Sequence, residues 1–297
     1  MSQGAVIGLD LGGTSVKGVA LTRDGVELAR DHQAFELSRP MEFAMAVRRC
    51  LETLESRGAF RADAVGLSAP GLSAPDGRSI GFMPGRFPGL EGLDWAHYLG
   101  RPNVPVLNDA RAALLGEVWL GAARGATNVV LLTLGTGVGG AAMVDGRLLS
   151  GHAGKAGHLG HICLDPDGPQ GITGIPGSLE DAIGNHNVSS RSAGRFSSTH
   201  ELLAAHAQGD VAAGEIWSRG VKALAAAIAS LTNILDPEVV IIGGGIARGG
   251  ESLFTPLRQW VDQFEWKVMG HEVRIVPAQL GEMAGAVGAA RHALNAT

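Results

Sequence analysis

The chain opens on an apolar run, AVIGLDL (5–11), that stops at Gly12-Gly13. VKGVALT (16–22) and residues 26–35 follow, parted by Asp24-Gly25, so three antiparallel strands are predicted here. Residues 41–57 carry helical spacing and end before Gly58. DAVGLSA (63–69) reads as a buried strand stopped by Pro70-Gly71, and the Gly- and Pro-rich residues 76–92 read as a loop. Residues 104–107 form a further strand, and a helix over 109–120 starts just after it. The opening pattern then returns: VVLLTLGTGVGGAAMV (129–144) has the form of VIGLDLGGTSVKGVAL (6–21), an apolar strand, a glycine-threonine turn and a second apolar strand. Helices are expected at 200–208 and 211–235, then a strand in PEVVIIGGGIA (237–247) that runs into three glycines. A helix at 251–265, a strand at 272–276 and a helix at 283–294 complete the pattern. The repeated unit predicts two similar halves facing each other across a cleft. Strands alternating with helices predict α/β layers.

Composition narrows the functional classes. At 297 residues, 45% hydrophobic and 18% charged, the chain can form two domains with a large core. Its 45 glycines are about twice the usual share of roughly 7%, and many sit where apolar runs end, as backbone that approaches a ligand must. A net charge of -5 argues against a nucleic-acid surface and offers anionic membranes no attraction. Cys50 and Cys163 are the only cysteines, too few for a disulfide framework or a four-thiolate zinc site, and they fit a reducing cytoplasm. The N-terminus lacks a basic segment followed by an apolar core, and no apolar run approaches the ~18 residues that span a bilayer. A cytoplasmic protein with a small-molecule partner, and neither nucleic acid nor membrane, is expected.

The glycine turns suggest phosphate chemistry. In LDLGGT (9–14), Gly12, Gly13 and Thr14 can turn N–H groups toward an anion, and the missing side chains let a phosphate come close. Asp10 ends the strand, where it can hold Mg²⁺ through water, and Lys17 can add positive charge. LGTGVGG (134–140) supplies a second such turn at Gly135, Thr136 and Gly137. Gly243, Gly244 and Gly245 end a strand and lead toward a helix, where a nucleotide can lie against backbone. Neither the P-loop pattern nor an early G-x-G-x-x-G is present. Asp109, between a strand and a helix, can serve as a general base or simply cap the helix.

Taken in order, LDLGGTSVKGVAL, GLSAPG (66–71), LNDARAALLGE (107–117), LTLGTGVGG, AGKAGHLGH (153–161) and LDPEVVIIGGGIA (235–247) resemble the ROK family of sugar kinases across nearly the whole chain. The resemblance implies an α/β, two-domain actin-like ATPase (ribonuclease H-like) fold with duplicated βββαβαβα-type halves around an ATP/sugar cleft. It places a small domain at 1–107, joined by the C-terminal helix 283–297, and a large domain at 108–282. It further implies ATP- and Mg²⁺-dependent phosphorylation of a hexose, with glucose as the default, on a hydroxyl that Asp109 deprotonates. Asn108, Ser68 and Gly71 are expected near the sugar. The family motif Asn-Asp-Ala-Asn is Asn-Asp-Ala-Arg here, so Arg111 is a departure, and Arg86-Phe87-Pro88-Gly89-Leu90 stands where the family has Asn-Leu-Pro-Gly-Trp. Family members are often dimers, which admits a homodimer.

The segment GHLGHICLDPDGPQGITGIPGSLE (157–180) departs most. The resembling signature carries a glutamate, a zinc-binding histidine and three zinc-binding cysteines. Here His158 takes the glutamate position, His161 the histidine, and Gly171, Thr173 and Ser178 the cysteine positions. Without thiolates no zinc site is expected. A site rebuilt from His158, His161 and Asp165 or Asp167 is the rival, but Asp-Pro-Asp-Gly is a turn sequence. His161 and Glu180 remain expected sugar contacts. His158, with one donor and one acceptor in place of a carboxylate, is expected to read hydroxyls differently. An amino- or otherwise modified hexose is therefore an alternative substrate, and a non-catalytic sugar-binding role a further reading.

Overall fold

The computed structural model describes residues 4–296, which form two compact units. Unit 1 comprises residues up to Gly125, Ser150–Ala156 and the segment from Gln279 onward. It begins with β1 (Ala5–Leu11), β2 (Ser15–Thr22), β3 (Glu27–Ala34), α1 (Glu42–Gly58) and β4 (Ala64–Ala69). A short pair, β5 (Leu72–Ser73) and β6 (Ile80–Phe82), precedes α2 (Trp95–Leu99), β7 (Val106–Asn108) and α3 (Asp109–Leu120). The main sheet runs β3-β2-β1-β4-β7, with β1, β4 and β7 parallel. In β4 every residue is buried, as expected of a strand covered on both faces. The face of α1 bearing Phe43, Val47, Cys50, Leu51 and Leu54 covers one side.

Unit 2 comprises Ala126–Leu149 and Gly157–Ala278. It contains β8 (Val129–Leu134), β9 (Val138–Val144) and β10 (Arg147–Leu148), followed by α4 (Leu179–Ile183), α5 (Val188–Arg191), α6 (Thr199–Ala207) and α7 (Val211–Leu235). After these come β11 (Val239–Gly243), α8 (Glu251–Phe264) and β12 (Arg274–Pro277). The sheet order β10-β9-β8-β11-β12 repeats that of unit 1: an antiparallel meander, then two parallel strands. Trp217, Val221, Leu224, Ile228 and Leu231 recur every three or four residues along α7 and, with Ile216, bury its inner face. Asp210 accepts the Ala213 N–H and so caps its start.

The last helix, α9 (Ala284–Asn295), belongs to unit 1. Small residues let it lie almost backbone to backbone on its neighbours. A Cβ added to Gly8 of β1 would fall 1.8 Å from the Ala286 carbonyl oxygen, and one on Gly288 would fall 1.6 Å from that of Ala112 in α3. This intimacy corrects the domain boundary expected at 107/108. Helix α3 is held by α9 and stays with unit 1, so the division falls after Gly125, and the excursion Ser150–Ala156 also joins unit 1. The loop expected over 76–92 contains β6, and α2, α4, α5 and β10 were not foreseen; each is five residues or fewer, too short for a periodic signal. No described helix is long and apolar enough to cross a membrane.

Candidate active site

In unit 1 the carboxyl ends of the parallel strands gather the charged residues, where open α/β sheets commonly bind ligands. The register aligns Asp10 with Ser68 and Ala69 with Asn108. Ser68, fully buried, donates its hydroxyl to Asp10 Oδ1 at 2.6 Å. It therefore holds Asp10 in place at the strand ends. Burial, with the Asp109 carboxylate nearby, pushes the Asp10 carboxyl up to about 6, against the lowering effects of Ser68 and Lys17. Gly285 lies so near this carboxylate that a Cβ there would fall 2.6 Å from Asp10 Oδ1.

Asn108, not Asp109, caps α3: its Oδ1 accepts the N–H groups of Ala110 and Arg111 at 3.1 and 3.3 Å. Its Nδ2 donates to the Gly71 carbonyl and to Asp109 Oδ1, both at 2.9 Å. Both amide protons and the amide oxygen are thus engaged inside unit 1. Asp109 occupies the first helical position, where Oδ1 also accepts the Ala110 N–H at 2.8 Å. Those bonds fix the orientation of its carboxylate at the helix N-terminus. Gly71 adopts φ +102°, and a Cβ would collide with the Phe82 carbonyl, so glycine is required there for backbone reasons. Lys17, expected to add charge for phosphate, lies 3.5 Å from the exposed Glu282 carboxylate.

Asp10 and Asp109 offer hard oxygen ligands whose mutual repulsion a divalent cation would relieve, so this pair fits Mg²⁺. Among the described residues no group of three His, Cys, Asp or Glu converges as a closed metal cage. The Gly12–Thr14 turn closes through the Gly12 N–H to the Ser15 carbonyl at 2.9 Å. A Cβ on Gly13 would meet the Arg86 guanidinium at 2.3 Å, so this departure from the family pattern brings a cation to the turn. Phe87 beside it is buried among Phe35 and Phe43 and anchors the segment. Arg111 is buried, and its Nη2 donates to the carbonyls of Gly154 and Ala156 at 2.6 and 2.9 Å, fixing the 150–156 excursion; burial pushes its guanidinium pKa down.

In unit 2 the remaining glycine turns meet at a cavity of about 630 Å³. Gly135, Thr136, Gly245 and Ile246 line it together with Asn185, Thr199, His200 and Arg248, and its volume suits a nucleoside. A Cβ on Gly135 or Gly245 would face open space, whereas one on Gly244, at φ +87°, would strike the Leu134 carbonyl at 2.2 Å. Gly243 is buried at the end of β11 beside Thr133. The cavity wall contributed by Asn185, Thr199 and Arg248 escaped sequence reasoning because no motif marks it.

The histidine segment lies in unit 2. His158 and His161 are half-buried, their rings stacked with centroids 6.3 Å apart. His161 Nδ1 is buried and finds no hydrogen-bond partner among the described residues. Glu180, expected at the sugar, has Oε2 on the Val138 N–H at 2.8 Å, beside Gly137 of the glycine turn. Of the three cysteine positions, Thr173 is exposed, while Gly171 and Ser178 adjoin Asp181. A Cβ on Gly171 would fall 2.0 Å from Asp181 Oδ2, and Ser178 donates to that same oxygen at 2.6 Å. Ser178 also caps α4 by accepting the Asp181 N–H. The Ser-x-x-Asp spacing is a capping-box signal that could have flagged Asp181.

A family model described as the ROK family matches residues 6–296. The chain belongs to the ROK family. A curated glucokinase of Thermotoga maritima is 35% identical to this ROK chain over 306 residues, covering 96% of each. Among solved structures, a ROK hexokinase from Thermus thermophilus superposes with a TM-score of 0.88 at 30% identity, covering 98% of each chain. A ROK glucokinase from Streptomyces griseus, solved with glucose and AMPPNP, matches with a TM-score of 0.76 at 27% identity, covering 98% of this chain and all of that one. The two units, each with the same five-strand order, are the duplicated actin-like ATPase halves of this family.

Proposed function

We propose that this ROK-family chain is an ATP-dependent sugar kinase acting on a hexose, with Asp109 as general base. The observation that carries the reading is the placement of Asp109 at the start of α3, oriented by its N–H partners and set near Asp10 at the strand ends. Asp109 takes the proton of the attacking hydroxyl; that oxygen bonds to the γ-phosphorus while the bond to the ADP oxygen breaks. With the Gly12 N–H closing the turn, Gly13 and Thr14 supply donors and Arg86 positive charge to the anion on unit 1. On unit 2, Gly135–Gly137 and Gly243–Gly245 hold the nucleotide, with its nucleoside in the 630 Å³ cavity. Mg²⁺, held by Asp10 and Asp109 directly or through water, would neutralise phosphate charge.

Glucose is the default substrate, as in the named function of the Thermotoga maritima relative. His158, stacked on His161 where the family carries a glutamate, favours a second reading: an amino- or otherwise modified hexose. A panel of both sugar classes with Mg-ATP, following ADP release, decides between them. Asp109→Asn is expected to cut turnover by roughly 10²–10⁴. Turnover within tenfold of wild type would remove Asp109 as the base, and a panel with no stimulated ADP release would favour a non-catalytic sugar-binding role.

A further inference from the structure

Two successive carbonyls of the Gly135–Thr136–Gly137 turn are pinned from one short segment. The Asn185 N–H donates to the Gly135 carbonyl at 3.0 Å, and the His186 N–H donates to that of Thr136 at 2.9 Å. The His186 ring adds a second bond, with Nδ1 2.9 Å from the same Thr136 oxygen. A carbonyl only accepts, so Nδ1 is the donor. The other ring nitrogen, Nε2, lies 3.1 Å from Asp181 Oδ1, while Asp181 Oδ2 accepts the Ser178 hydroxyl. The chain of contacts therefore runs Ser178, Asp181, His186, Thr136.

The consequence follows from peptide planarity. In a trans peptide the C=O of one residue and the N–H of the next point in opposite directions. Holding the Gly135 and Thr136 carbonyls therefore aims the N–H groups of Thr136 and Gly137 the other way, as a consecutive pair. Consecutive aimed N–H groups are what an anion requires. Two of the turn's three residues are glycines, whose backbone would otherwise lose most freedom on being ordered. The amide that follows, Val138 N–H, is already occupied by Glu180, the residue before Asp181 on α4.

We propose that Asp181 and His186 are positioning residues for nucleotide binding: they orient the Thr136–Gly137 amides toward a phosphate and tie that orientation to α4, which carries Glu180. The inference rests on the reading of this turn as the nucleotide site, and its test reads binding directly so that the two can fail separately. Affinity for a non-hydrolysable ATP analogue, titrated calorimetrically with Mg²⁺, is expected to fall about tenfold in His186→Ala, the loss of one well-aligned hydrogen bond. His186→Asn, whose side-chain amide can stand in for the Nδ1 donor to Thr136, is expected to recover most of it. Asp181→Asn, which keeps an acceptor for Ser178 but loses the carboxylate facing His186, is expected to fall between the two. Sugar affinity without nucleotide stays within twofold throughout, a split that general loosening of the fold would not produce. Nucleotide affinity of His186→Ala within twofold of wild type overturns the pair while leaving the kinase reading intact. So does a parallel loss of sugar affinity and thermal stability that Asn does not recover. A wild-type protein that binds no nucleotide overturns both.

Discussion

Asp10 carries a stability cost that one substitution can expose. Its carboxyl is raised from 3.8 to about 6, chiefly by burial and then by Asp109. A raised folded pKa means that the folded state binds the proton more tightly than the unfolded chain does. Stability attached to that proton is fully present below about pH 3.8 and is lost as pH rises through about 6. The shift of about two pH units corresponds to about 3 kcal/mol at neutral and higher pH. Asp10→Asn removes the charge but retains an oxygen to accept the Ser68 hydroxyl, now seen at 2.6 Å. At pH 8, without Mg²⁺ or nucleotide, the variant is expected to gain up to about 3 kcal/mol, a rise in Tm of roughly 5 °C for a chain of this size. At pH 4 the gain should shrink toward zero, and Mg-ATP turnover should fall at every pH. Thermal melts at the two pH values, followed by circular dichroism, are the assay. A variant no more stable than wild type at pH 8, or an offset equal at both pH values, would show that the charge on Asp10 is not the source of the cost.

Three further outcomes are expected. Gly288→Ala sets a Cβ 1.6 Å from the Ala112 carbonyl, so α9 must separate from α3; a loss of at least 3 kcal/mol in urea unfolding is expected, and a change below 1 kcal/mol would contradict the close approach. Glu117, fully buried, accepts the N–H groups of Ala122, Gln279 and Leu280; Glu117→Ala should cost about 3 kcal/mol or more and speed proteolysis of the C-terminal segment, which an unchanged digestion pattern would deny. With Gly171, Thr173 and Ser178 at the cysteine positions, elemental analysis of purified protein should find far less than one zinc per chain; stoichiometric zinc retained through a chelator would refute this.

The repeated strand–turn–strand units were legible because buried strands bounded by glycine turns leave a strong local signature, and β1, β2, β8 and β9 lie within a residue or so of where the pattern puts them. The fate of individual side chains was less legible. The chemistry of Ser68, Asn108 and Lys17 suggests substrate contacts, but gives no hint that Ser68 holds Asp10, Asn108 caps α3 and Lys17 pairs with Glu282. Register and capping decide those partners, and neither is written in a motif. The domain boundary was hidden for a related reason. The small residues of AGAVGAARHALN look unremarkable in one dimension, and only the α3 backbone against Gly288 shows what they permit.

The same helix imposes an order on synthesis. Unit 2 draws on residues no later than Ala278, so its sheet can close while the tail of the chain is still being made. Unit 1, although its strands precede those of unit 2 in the chain, keeps one face of its sheet uncovered until residues 284–295 are available. Val6, Val19, Leu21 and Ala64, which that helix buries, stay uncovered until residues 284–295 have been made. The unit whose strands come earlier in the chain is therefore the later to be finished, and a chain cut before α9 would leave a sticky sheet face for chaperones and proteases to find.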